Sequence, residues 1–144
     1  MIRAKKRLGD MLIEAKLITE EQLNEALRYG RHNSKKLGES LIDLRFIDEK
    51  ELLAELAKQL NLEQVQLTGI DIPNELVGLV NVSVLRKNLM IPYAYVKDSI
   101  TQVKLAMADP MDMKAIDDFT IITNMQVQPV IAPTADILVT LDMY

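Results

Sequence analysis

"RLGDMLIEAKLITEEQLNEAL" (residues 7–27) and "KLGESLIDLRFIDEKELLAEL" (residues 36–56) are identical at 8 of 21 positions. Five further positions are close exchanges, Arg for Lys or Asp for Glu among them. The same unit is therefore written twice, 29 residues apart. Within the first copy Leu8, Met11, Leu12 and Ala15 recur at helical spacing. Thr19-Glu20-Glu21-Gln22 then has the form of a capping box, with Ile18 placed for a hydrophobic staple. A second helix carries Leu23, Ala26 and Leu27 on one face. The second copy repeats the pattern with Leu37 and Leu41, Asp48 as cap after Ile47, then Leu52, Leu56 and Ala57. The pattern predicts four short helices in two similar hairpins over residues 7–60.

Residues 61–72 lose the helical period and contain Gly69, with Pro73 just beyond, which predicts a linker. Val65 and Leu67 flank Gln66 as a short strand would. Beyond it lie two short helices with Asn74 and Asn81 as caps. Two strands follow, in "MIPYAYV" and "ITQVKLAMA", turned at Lys97-Asp98-Ser99. Asp109 and Pro110 open a helix as cap and first residue. "MQVQPVIA" is a third strand, and Pro129 within it indicates an edge. A helix capped by Thr134 closes the chain. The fold class expected is α+β: a helical tandem unit (1–60), a linker (61–72) and a small α/β unit with a three-stranded sheet (73–144).

The chain has 144 residues and is 49% hydrophobic, enough to bury a core. Cys is absent and His32 is the single histidine, so disulfides, thiolate metal sites and multi-histidine sites are excluded. No apolar run approaches the length of about 18 residues that marks a membrane span. Basic residues near the N-terminus precede no uninterrupted apolar stretch of signal-peptide type. These features predict a soluble intracellular protein. The charge is uneven: residues 1–60 hold 12 Lys/Arg against 11 Asp/Glu, and residues 61–144 hold 5 against 10. This split suits two units with different surfaces.

Catalysis finds little support. No Gly precedes a Lys, so the phosphate-cradling G-x-x-x-x-G-K-[ST] loop is absent, as are the Ser elbow and the zinc-binding His pair. Asp109, Asp112, Asp117 and Asp118 fit a helix start, where carboxylates complement the dipole. Gly9 and Gly38 are more informative. Each sits in a helical segment at a cost of about 1 kcal/mol against Ala, so something must approach closely there. Another helix would satisfy this. A ligand would too, since Arg7-Leu8-Gly9 and Lys36-Leu37-Gly38 each set a cation beside bare backbone, which suits a phosphate. The spacing leaves both readings open.

"RLGDML" with Ile18, Leu23 and Leu27, then "KLGESL" with Ile47, Leu52, Leu56 and Gln59, resembles the tandem motif in N-terminal domains of type II secretion and type IV pilus assembly ATPases. "IPYAYVKDSITQVKLAMADPMDMKAIDDF" resembles the second N-terminal subdomain of those proteins. The resemblance implies a non-catalytic domain with the ATPase beyond residue 144. It implies docking to the cytoplasmic part of an inner-membrane platform protein, and a cytoplasmic place peripheral to that membrane through partners. Neither nucleic acid nor membrane insertion is implied. No cofactor is required, but one branch of the family binds cyclic di-GMP across the two motifs. Carried over, the candidate ligand residues are Arg7, Leu8, Gly9, Leu23, Leu27, Lys36, Leu37, Gly38, Leu52, Leu56 and Gln59. Two positions depart from the motif: Gly30 stands where Gln is expected, and Lys36 where Arg is expected. If Gly30 is a missing guanine contact, Gly30→Gln is expected to strengthen binding. If Gly30 is a left-handed helix stop, Gln is expected to strain it.

Overall fold

The computed structural model describes residues 8–144, and it divides after Leu60 into two compact units. Arg7 lies outside the described residues. The first unit has four helices: α1 (Leu8–Glu14), α2 (Glu20–Asn33), α3 (Leu37–Asp43) and α4 (Glu49–Leu60). Its core is aliphatic, built from Met11, Leu12, Ile18, Ala26, Leu41, Ile47, Leu52, Leu53 and Leu56. The capping box forms as its residues dictate: Gln22 N donates to Thr19 Oγ1 at 3.1 Å, and Thr19 N donates to Gln22 Oε1 at 2.9 Å. Asp48 caps α4 through Glu51 N at 2.7 Å. Ile18 and Ile47, one residue before each cap, are buried.

The second unit contains α5 (Asn74–Val77), α6 (Val82–Lys87), β1 (Met90–Tyr95), β2 (Gln102–Met107), α7 (Met113–Thr123), β3 (Gln126–Ile131) and α8 (Thr134–Asp142). The sheet order is β1-β2-β3, with β1 antiparallel and β3 parallel to β2. A parallel neighbour requires a crossover, and α7 supplies it. Phe119, Leu105, Met107, Ile91 and Ile137 fill the core. Pro129 lies on an edge strand, and the ladder shows why it is tolerated. Gln126 N and Ala132 N donate toward β2, to Thr101 O and Met107 O, whereas Ile131 N donates outward to Glu63 O. Alternation along the strand puts the missing N–H of Pro129 on the outward side with Ile131, so no bond to β2 is lost.

Several local expectations change. Residues 61–72 belong to the second unit rather than forming a linker. Gln64 bridges Ile131 in parallel, with Val65 N donating to Ile131 O at 2.8 Å. Leu67 and Ile72 are buried. The Asp136 carboxylate accepts from Leu67 N at 2.6 Å and Thr68 Oγ1 at 3.0 Å. A segment with satisfied backbone groups and buried apolar side chains is packed structure. Asp112, not Asp109, caps α7, accepting from Ala115 N at 3.1 Å. Asp109 instead closes the preceding turn through Met111 N at 3.0 Å. Asn74 and Thr134 are the first residues of their helices, after Pro73 and Pro133. Asn81 is a cap as expected, accepting from Ser83 N at 2.9 Å.

Candidate functional site

The duplication is geometric as well as textual. Lys16 and Arg45, equivalent in the two copies, both take left-handed conformations (φ 62° and 61°). Leu17 N donates to Leu12 O and Phe46 N to Leu41 O, each at 3.0 Å. Lys16 N donates to Ile13 O at 2.9 Å and Arg45 N to Ile42 O at 3.0 Å. This pair of bonds is the Schellman ending of a helix, which consumes its last free carbonyls and turns the chain. Each copy uses it to reverse direction into the following capped helix.

The two glycines have a common explanation. A Cβ on Gly9 would stand 2.7 Å from Leu23 Cδ1, and one on Gly38 would stand 3.3 Å from Leu52 Cδ2. Leu23 and Leu52 are themselves equivalent. In both hairpins the second helix sets a leucine tip against the glycine, more tightly at Gly9 than at Gly38. The close approach that the helical glycines required is thus made by a neighbouring helix.

The candidate ligand residues are divided by this packing. Leu8 approaches the same glycine as Leu52, with Leu8 Cδ2 3.9 Å from the Cβ position of Gly38. Gly9, Leu52 and Leu56 are buried; Leu8, Leu23, Leu37 and Gly38 are half-buried; Lys36 and Gln59 are exposed. The equivalent leucines Leu27 of α2 and Leu56 of α4 differ most: Leu56 is 3% exposed and Leu27 is 39% exposed. The structure therefore joins Gly9 to Leu23, and Leu8 to Gly38 and Leu52, but it does not repeat one open leucine surface twice. Lys36 is the N-cap residue of α3, and its carbonyl accepts from Ser40 N and Ser40 Oγ, each at 2.9 Å.

Gly30 is neither a helix stop nor an open gap. It lies inside α2 and is buried, and the left-handed residue at that end is Ser34 (φ 54°). A Cβ at Gly30 would stand 2.7 Å from Lys35 O and 2.9 Å from Ser40 Oγ. The end of α2 thus presses bare backbone against the start of α3. The left-handed reading of Gly30 is corrected: it is a helical residue, and a side chain there would meet Lys35 O and Ser40 Oγ.

A polar cluster beside this contact was not foreseen, because its members lie 8 and 14 residues apart with no local signal. Tyr29 Oη donates to Asp43 Oδ2 at 3.0 Å, and Lys35 Nζ forms an ion pair with the same oxygen. The Lys35 hydrogen bond, with that of Tyr29, holds the Asp43 carboxyl below its ordinary range. The Asp43 bond raises both Lys35 and Tyr29. A carboxylate whose pKa is lower folded than unfolded adds stability above its unfolded pKa, about 3.9. That contribution is lost as pH falls through the folded value. In Asp43→Asn, the fall in stability on acidification below about pH 4 should be shallower than in the parent. Denaturant midpoints measured across that range check this, and identical acid profiles would remove the cluster's role.

Comparisons with known proteins bear on both units. A family model described as the MshEN domain matches residues 60–144. A solved structure of MshE with cdg is 30% identical and superposes with a TM-score of 0.79, covering 97% of this chain and 99% of that one. The N-terminal domain of XpsE is 18% identical with a TM-score of 0.81, covering 99% of both chains, and shares the fold. The type IV pilus assembly ATPase PilB of Myxococcus xanthus is 28% identical over 138 residues, 96% of this chain and 24% of PilB. The chain spans about a quarter of that relative's length.

Proposed function

The chain belongs to the MshEN domain family, and from that premise we propose that it is a non-catalytic regulatory and docking domain of a type IV pilus or type II secretion ATPase. The ATPase domain of the same protein would be the motor, and the partner would be the cytoplasmic part of an inner-membrane platform protein. The observation that carries this reading is the alignment of nearly the whole chain to about one quarter of a pilus assembly ATPase. Exposed large apolar side chains on the second unit, Ile100, Ile121 and Val139 among them, agree with a surface that other proteins cover. Among the described residues no helix is long and apolar enough to cross a membrane, so attachment to a membrane assembly would run through contacts. Deleting residues 1–144 from the full-length ATPase should release it from the membrane fraction. An ATPase that stays with its assembly after that deletion refutes docking.

The second reading is a cyclic di-GMP sensor, and it draws on the 30% identity to MshE, whose structure was solved with cdg. Among the described residues, Leu27, Lys36 and Gln59 are the candidate ligand residues left exposed. Against tight symmetric binding stand the burial of Leu52 and Leu56 and the closed space at Gly30. Lys36 also lacks the planar fork with which Arg grips phosphate or guanine at two points. Titration calorimetry with cyclic di-GMP is expected to show binding weaker than nanomolar, and nanomolar affinity would make sensing the principal role.

A further inference from the structure

An ion pair of the first unit sets its acid against its own helix. Asp43 is the last residue of α3, and the last turn of that helix has no basic residue. A carboxylate at this end faces the negative pole of the helix dipole and is disfavoured there. Its partners come from elsewhere: Lys35 Nζ pairs with Asp43 Oδ2, and Tyr29 Oη donates to the same oxygen at 3.0 Å. Neither member of the pair is enclosed, since the side chains are 39% exposed at Lys35 and 32% exposed at Asp43. Two donors therefore converge on one anionic oxygen that solutes can reach. A phosphate oxygen carries the same sign of charge and accepts the same bonds.

The cluster adjoins positions that the tandem motif singles out. Tyr29 precedes Gly30, and Lys35 precedes Lys36. The contact is spatial as well. Lys35 N donates to Gly30 O at 3.0 Å, and Lys35 O lies 2.7 Å from where a Gly30 Cβ would stand. Residues 26–38 contain Arg28, Arg31, Lys35 and Lys36 and no Asp or Glu. Asp43 thus brings a negative charge, from the far end of α3, onto a stretch whose own charges are all positive. Glu39, in the first turn of α3, also acts on Lys35 through space, but the hydrogen bond to Asp43 is the larger influence.

We propose that Asp43 is an internal counter-anion that withholds Lys35 and Tyr29 from a phosphate-bearing ligand and thereby lowers the affinity of the first unit for cyclic di-GMP. The inference rests on the sensor reading and adds to it a residue outside the tandem motif that governs affinity. For a ligand phosphate to take the two bonds, the Asp43 carboxylate must swing into solvent. Each phosphodiester is itself an anion, so the displaced carboxylate is left beside a like charge. That repulsion is the cost that Asp43 imposes.

Calorimetric titration of the whole chain with cyclic di-GMP tests this. Asp43→Asn keeps an acceptor for Tyr29 and loses the charge, and it should bind about fivefold tighter than the parent, the upper range for an exposed charge pair. In that background Lys35→Gln should remove the gain. Lys35→Gln alone should hardly alter the parent's affinity, because Lys35 is already committed to Asp43. Glu39→Gln removes an equal charge that does not hold Lys35, and should gain less than Asp43→Asn. Thermal melting shows whether each variant folds, with Asp43→Ser as the substitute if Asp43→Asn does not. Equal affinities of the parent and Asp43→Asn, or equal gains from Asp43→Asn and Glu39→Gln, overturn the proposal. If neither the parent nor Asp43→Asn binds cyclic di-GMP, the sensor reading falls, and inorganic pyrophosphate decides what Asp43 does. Amide shifts of Tyr29 and Lys35 on adding pyrophosphate to Asp43→Asn, but not to the parent, would keep Asp43 as the residue that blocks an anion site. Equal shifts in both proteins, or none in either, would remove that role.

Discussion

Leu56→Ala will destabilise the first unit by about 2–5 kcal/mol, the range for truncating a buried leucine. Leu27→Ala, at the equivalent place in the other copy, will cost about 1 kcal/mol, because much of that side chain already meets water. The expectation follows from exposures of 3% and 39% at positions that the repeat makes equal in sequence. Truncating Leu56 removes the transfer energy of its methyl groups and leaves a hole in the aliphatic core of the first unit, which relaxes only in part. Chemical denaturation of the two single variants measures the difference. Equal losses would mean that Leu27 is covered in solution. The pair also separates structure from recognition: if Leu27 packs a ligand's base, its alanine variant lowers affinity for cyclic di-GMP while stability hardly moves.

Gly30→Gln will lower stability by about 1–3 kcal/mol, the usual cost of forcing atoms into filled space. Helix propensity acts the other way, since replacing a helical glycine gains up to about 1 kcal/mol. The sign is decided by contact with the Lys35 carbonyl, because backbone at 2.7 Å cannot rotate away as a side-chain tip can. Gly30→Ala isolates the effect, as its added methyl is the atom that collides. Ser40→Ala in the same chain removes the second collision, at Oγ, and should restore part of the loss. Thermal and denaturant unfolding of the three variants settle the order. A stabilised Gly30→Ala would show that the helices separate readily, and would reopen the position to a glutamine that reaches a ligand.

Much of the helical architecture is legible in the chain because its causes are local. The capping box at Thr19 and Gln22 and the cap at Asp48 each depend on residues within one turn. The duplication itself told where each hairpin would begin. Pro129 indicated an edge strand because the missing donor is a property of that residue alone. Local evidence was weaker where two carboxylates competed for one helix start: Asp109 and Asp112 both suit a cap, and turn geometry beyond either residue assigned Asp112.

Distant neighbours decided the rest. A helical glycine announces a close approach but not what approaches, and Leu23 on Gly9 and the Lys35 backbone on Gly30 are known only from the assembled helices. Repeat symmetry makes Leu27 and Leu56 alike in pattern, whereas their exposures of 39% and 3% are set by the assembled fold. Residues 61–72 read as a linker because they lose the helical period and contain Gly69. They are structure because Asp136, 69 residues beyond Leu67, takes up their donors. Hydrogen bonding within a turn and apolar period are written in neighbouring residues. Burial and the closing of space are sums over the whole fold, so helix and strand were determined by sequence alone, and the candidate site's open and closed positions only by tertiary packing.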